Sequence, residues 1–218
     1  MSEDVTGSGG RAEKRAASRR RIIDAAREVF FRDGFMEANL DEVARLAGVA
    51  KGTLYRYFDS KAELYVAVLA LDGEAFEQKM RDSIARPGAS PPDLIRGMGR
   101  FYFTHWMEHP EYFQIFWAIE NQSVIGELPQ GVIDEVIRLW EKCVELLAGI
   151  IQRGIDAGDF RSCDAWEVAD ILWTLANGLI QTESSGARRR LRRRSLDSTF
   201  TDAVELVLHG LAPMDAEC

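Results

Sequence analysis

From Arg19 onward the apolar residues recur at helical intervals. Ile22, Ile23, Ala26, Val29 and Phe30 share one face of a predicted α-helix. Gly34 closes it as a left-handed cap, with Phe35 available for the apolar contact that accompanies such a cap. Asn39 opens a second helix, and Glu42 three residues on makes an Asn-x-x-Glu capping box. Val43, Ala44 and Ala47 face inward along it. Gly48 breaks the pattern, and a short third helix is predicted from about Lys51 to Phe58. Ser60 and Glu63 repeat the capping pair at the start of a fourth helix reaching about Ile84, with Leu64, Val68, Leu71, Ala75 and Met80 inward.

Residues 86–92 carry two kinds of turn signal, glycine and a proline pair, and read as a loop. Residues 93–109 form a very aromatic helix, followed by a short one from Pro110 to about Glu120 and a loop over 126–131. Ile133, Val136, Ile137, Trp140, Val144, Leu147 and Ile151 mark a long amphipathic helix ending at 154–158. Asp164 caps a helix that is apolar all round from Trp166 to Ile180, too broad to face a single neighbour. A last helix over about 197–211 carries a stripe of Phe200, Val204, Val207, Leu208 and Leu211. No strand pattern or internal repeat appears. The fold class is all-α with about nine helices: an N-terminal three-helix head of helix-turn-helix type and a larger helical body. The boundaries place a disordered basic arm at 1–18, the head at 19–60, the body at 61–212 and a tail at 213–218.

No apolar run reaches the roughly 18–20 residues that span a bilayer, which argues against a membrane partner. The polar, glycine-rich start lacks the apolar centre of a secretory signal, so a cytoplasmic location is expected. Cys143, Cys163 and Cys218 are far apart and without metal-ligand spacing, and read as reduced thiols.

Charge changes the picture. The net charge is −8, yet residues 1–61 hold 12 basic and 10 acidic side chains, and residues 11–27 alone hold 7 and 2. A basic end on an acidic body fits a small nucleic-acid module joined to something else. The helix pair at 40–58 has the spacing of a DNA-binding helix-turn-helix, whose second helix enters the major groove. On that second helix Leu54 and Phe58, four apart, point to the core. Gly52, Thr53 and Arg56 then face away, flanked by Lys51, Tyr55 and Tyr57. Gly52 allows close backbone approach. The hydroxyls of Thr53, Tyr55 and Tyr57 suit phosphate, and Lys51 or Arg56 suits either phosphate or a guanine edge. Lys61 stands beside a helix N-terminus, within reach of another phosphate.

The run Asn-Leu-Asp-Glu-Val-Ala-Arg-Leu-Ala-Gly-Val-Ala-Lys-Gly-Thr-Leu-Tyr-Arg-Tyr-Phe-Asp-Ser-Lys-Ala-Glu-Leu at residues 39–64 resembles the TetR family of one-component transcriptional regulators. His109-Pro110-Glu111, residues 154–160 and His209-Gly210-Leu211 are similar to further phrases of that family. Ala50 departs from it, standing where a serine commonly caps the recognition helix. The resemblance implies a DNA-binding head, a linking fourth helix, a ligand-binding body, and a homodimer formed by the last two long helices on a palindromic operator. The function so implied is a ligand-responsive regulator, a repressor released from double-stranded operator DNA by a small, largely apolar effector. The alternative is an activator or architectural DNA binder of the same fold.

Aromatic residues at helical spacing usually build a core, but as a group they also suit an apolar ligand pocket. Tyr102, His105, Trp106, Phe113, Phe116, Trp117, Trp140 and Trp173 are the candidates. His105 and His109 have i, i+4 metal spacing near Glu108 and Glu111, but no zinc phrase, so no metal and no cofactor is expected. Six arginines in residues 188–194 read as a solvated loop that offsets the acidic body. No nucleophile motif or phosphate-cradling loop appears, so no catalytic residues are assigned and no enzyme is expected.

Overall fold

A computed structural model describes residues 7–110, 113 and 130–213. Among them are nine α-helices, one short 3-10 turn at 182–184 and no strand. The helices are α1 (Gly7–Glu37), α2 (Leu40–Leu46), α3 (Lys51–Tyr55), α4 (Lys61–Ser83), α5 (Pro91–Glu108), α6 (Gln130–Ala157), α7 (Ala165–Gln181), α8 (Gly186–Leu191) and α9 (Leu196–Leu211). No described helix is long and apolar enough to cross a membrane. The chain divides into two compact units within α4, between Gly73 and Glu74.

The first unit holds the head. Ile22, Ala26, Val29 and Phe30 of α1, Val43 and Ala44 of α2, Leu54 of α3 and Leu64 to Val66 of α4 share its core. Gly34 adopts φ 75° and kinks the end of α1. That turn lays Phe35 against Phe30 and Tyr65, with ring centroids 6.1 and 4.9 Å apart. Three aromatic rings in mutual contact add specific edge-to-face attraction to the area they bury. Side chains close the helix ends. Asn39 accepts from the Asp41 amide at 2.8 Å. Ser60 accepts from Glu63, whose carboxylate reaches back to the Asp59 amide.

Several expectations are corrected here. Residues 7–18 are helical rather than an unstructured arm; their alanines favour helix. Glu42 does not return to Asn39, because Arg32 claims both of its oxygens at 3.1 and 2.9 Å. On α4, Ala75 is exposed and Leu71 only half-buried, and Phe76 turns inward instead. Tyr65, Leu69, Phe76 and Met80, at i, i+4, i+11 and i+15, form the buried face of α4, and the predicted stripe lies to one side of it.

The second unit, residues 74–110 and 137–213, packs α5, α7 and α9 against one another and buries Cys143, Val144, Leu147, Ile150 and Ile151 of α6. Ser90 and Asp164 cap α5 and α7 as side-chain acceptors. Arg96 of α5 grips Glu205 of α9 through two hydrogen bonds of 2.6 and 2.9 Å. Phe200, Leu208 and Leu211 are buried within this unit, so the α9 stripe is largely internal. Leu206, on the opposite face, is 73% exposed. Residues 186–191 form α8 rather than a loop, and Glu183 takes both Arg189 and Arg192.

Candidate nucleic-acid interface and effector cavity

The turn between α2 and α3 is built by Gly48 at φ 66°, a conformation few side chains tolerate. It brings α3 across α2 in helix-turn-helix form. Leu54 and Phe58 are 0% and 1% exposed, which fixes the rotation of α3. Gly52, Tyr55 and Arg56 consequently face solvent, with Thr53 and Tyr57 half-buried at the flanks. A Cβ added at Gly52 would meet nothing within 4 Å, so its backbone is open to approach. The regular helix ends at Tyr55, and residues 56–58 finish as a hydrogen-bonded turn on Thr53 and Leu54.

The basic side chains here are already engaged. Lys51 pairs with Asp41 across the turn at 2.7 Å, and this carboxylate raises the lysine's pKa. Arg56 lies over the Tyr57 ring at 6.0 Å. Lys61 is folded back: its Nζ donates to the Met36 carbonyl at 2.9 Å and sits 5.1 Å from the Phe35 ring centre. Desolvation lowers its pKa. Lys61 thus caps the end of α1 in the free protein rather than pointing outward. Ala50 stands at the N-cap with extended backbone and no side-chain bond, so α3 begins uncapped.

In the second unit, a narrow apolar cavity of about 40 Å³ lies among Met98, Tyr102, Cys143, Leu172, Trp173 and Phe200. Of the aromatic candidates, Tyr102 and Trp173 line it. Trp106 and Phe113 are buried and Trp140 is half-buried, but none lines the cavity. Phe116 and Trp117 lie outside the described residues. His105 faces a separate open groove with Lys79, Arg86, Arg100 and His109. Burial first, then His109 and Lys79, lower its pKa to about 4, so it is neutral at pH 7. Burial pushes the Cys143 thiol up to about 12, leaving it protonated and unreactive. No group of His, Cys, Asp and Glu able to hold a metal occurs among the described residues.

Sequence reasoning missed the aliphatic half of the cavity and the buried Asn177 of α7, 1% exposed, which receives a hydrogen bond from Tyr102. An asparagine inside an otherwise apolar helix face was the available signal.

A family model described as bacterial regulatory proteins, tetR family, matches residues 22–68. The transcriptional activator FasR of Mycolicibacterium smegmatis is 47% identical over 201 residues, 89% of this chain and 83% of its own length. The chain belongs to the TetR family. The transcriptional repressor NicS of Pseudomonas putida is 30% identical over 161 residues, 71% of each chain. Among solved structures, FadR from Bacillus subtilis in complex with stearoyl-CoA superposes with a TM-score of 0.68 at 20% identity, covering 88% of this chain and 98% of that one. This TetR-family protein is therefore a DNA-binding transcriptional regulator, and α3 is the second helix of its helix-turn-helix.

Proposed function

We propose that this regulator binds a twofold operator as a homodimer and releases it when a long-chain acyl effector enters the body. The observation that carries the reading is the orientation of α3: Leu54 and Phe58 buried, Gly52, Tyr55 and Arg56 outward. Tyr55 and Tyr57 donate to phosphate, Gly52 admits the backbone, and Thr53 and Arg56 meet base edges. Lys51 and Lys61 join by leaving Asp41 and Met36. The pairing of copies is supported by Trp166 and Ile171 of α7 and Leu206 of α9, at 43%, 55% and 73% exposure.

The effector class is supported by the apolar lining of the cavity and by the acyl thioester bound to the related FadR fold. Pockets for ligands of that size hold about 300–1,000 Å³. The cavity is far smaller, so entry forces its walls apart. Met80 of α4 is one of those walls, and α4 continues unbroken to Leu64 in the head core. Moving α4 changes the heads' fit to successive major grooves, and operator binding weakens the effector by the same factor.

A second reading, activation, is favoured by the 47% identity to an activator. The same dimer blocks or recruits polymerase depending on where its operator lies. Gel shifts on the DNA upstream of its own gene, with and without stearoyl-CoA, test both claims. Stearoyl-CoA lowers operator affinity, and Tyr55→Ala lowers it by about three- to tenfold, the worth of one hydrogen bond. Operator binding unaffected by any acyl thioester sinks the release mechanism. Transcription in vitro that rises on adding the protein selects activation.

A further inference from the structure

The cavity in the body has a mainly apolar lining, in which Tyr102 carries a hydroxyl. The Tyr102 hydroxyl on α5 donates to Asn177 Oδ1 on α7. Asn177 is 1% exposed, and its Nδ2 has no hydrogen-bond partner among the described residues. Buried amides normally satisfy both ends, because a stranded donor loses its water and gains nothing. The position of this donor gives it a use. Asn177 follows Ala176 and lies one helical turn beyond Trp173, and both of these line the cavity together with Tyr102. An occupant that parts α5 from α7 arrives at the Tyr102–Asn177 pair.

Because Tyr102 occupies Oδ1, the amide presents its NH2 group as the free end. A group arriving there must accept a hydrogen bond. We infer that Asn177 Nδ2 donates to a carbonyl oxygen of the effector, so that the body selects an acyl chain over a bare hydrocarbon of the same length. This deepens the acyl-effector reading and rests on it. A hydrocarbon fills the cavity but leaves Nδ2 stranded. An acyl compound fills it and completes the Tyr102–Asn177–carbonyl line. Sites built around a buried polar partner reject analogues lacking it far more strongly than apolar sites reject a missing methylene.

Methyl palmitate and hexadecane, delivered from cyclodextrin, are titrated into the full-length protein and followed by tryptophan fluorescence, since Trp173 borders the cavity. In the wild type the ester binds at least about tenfold tighter than the alkane. Asn177→Leu removes the donor at similar size. It weakens the ester to near equality with the alkane and leaves alkane binding unchanged. Asn177→Met repeats the comparison should the leucine variant melt early, and the wild-type preference is read without any variant. Equal binding of the two probes by the wild type overturns the assignment, as does an ester preference that survives both substitutions. Binding of neither probe overturns the acyl-effector reading itself, and this inference with it.

Discussion

The head and the body of this regulator are stabilised in different ways. Both regions close helix ends with side chains, Asn39 on α2 and Ser60 with Glu63 on α4 in the head, Ser90 and Asp164 in the body, and the head adds Lys61 on the last turn of α1. The head's apolar residues fill one small core, and α3 has a single possible rotation. In the body, long helices meet over broad faces. A narrow cavity remains between them, and Asn177, bonded to its lining residue Tyr102, keeps an amide donor with no partner among the described residues. The first arrangement holds a fixed shape against DNA. The second can repack, because the cavity's walls come from separate helices with no disulfide between them among the described residues. Rigidity sits where a surface must be matched, and slack where a guest must enter.

Three substitutions sharpen or break that contrast. Leu54→Ala has the largest effect: deleting a fully buried leucine costs about 2–5 kcal/mol. Operator binding is lost in a gel shift, while quenching of tryptophan fluorescence by acyl ligand persists. Loss of both together would mean the two regions do not behave as separate units. Ala50→Ser is next and acts in the opposite direction. Ala50 already has extended N-cap geometry, so a serine hydroxyl can accept from the Gly52 or Thr53 amide. Thermal unfolding should show a gain of about 1 kcal/mol. No gain would mean that α3 is not limited by its missing cap.

The smallest effect is in the body and depends on pH. His105 has a folded pKa of about 4 against an ordinary 6.5. As pH falls from 6.5 to 4, the unfolded chain takes up a proton that the folded chain refuses, so stability is lost across that window. The half-exposed site reduces the effect through solvent screening. His105→Asn should flatten the part of the melting-temperature profile between pH 6.5 and 4 relative to wild type. Parallel profiles would show that His105 is not responsible.

The head was the more legible region in the sequence, for a physical reason. Gly34, Asn39, Gly48 and Ser60 act within three or four residues of their own position, so local spacing reveals them. Leu54 and Phe58 had only one core to face. In the body, the same apolar signal had several destinations. Phe200 and Leu208 pack inward and Leu206 outward, although all belong to one apolar helix. Trp106 and Tyr102 share α5 and burial, yet only Tyr102 reaches the cavity. The resting contact of Lys61 could not be read locally, because its acceptor, the Met36 carbonyl, is 25 residues away. Periodicity could flag Asn177 as a polar residue on an apolar helix, but not its partner, the Tyr102 hydroxyl 75 positions earlier.

The ion pair between Lys51 and Asp41 has a consequence for the thermodynamics of binding DNA. Each phosphate newly neutralised by a protein releases condensed cations and adds about 0.9 to the slope of log K against log salt. Lys51 cannot contribute a full share. In the proposed contact it abandons Asp41, and the bared carboxylate offsets part of the charge that Lys51 brings to the phosphate. Arg32, held between Asp33 and Glu42, is bound in the same way. The operator affinity of this protein should therefore respond to ionic strength less steeply than the number of basic residues in its head implies.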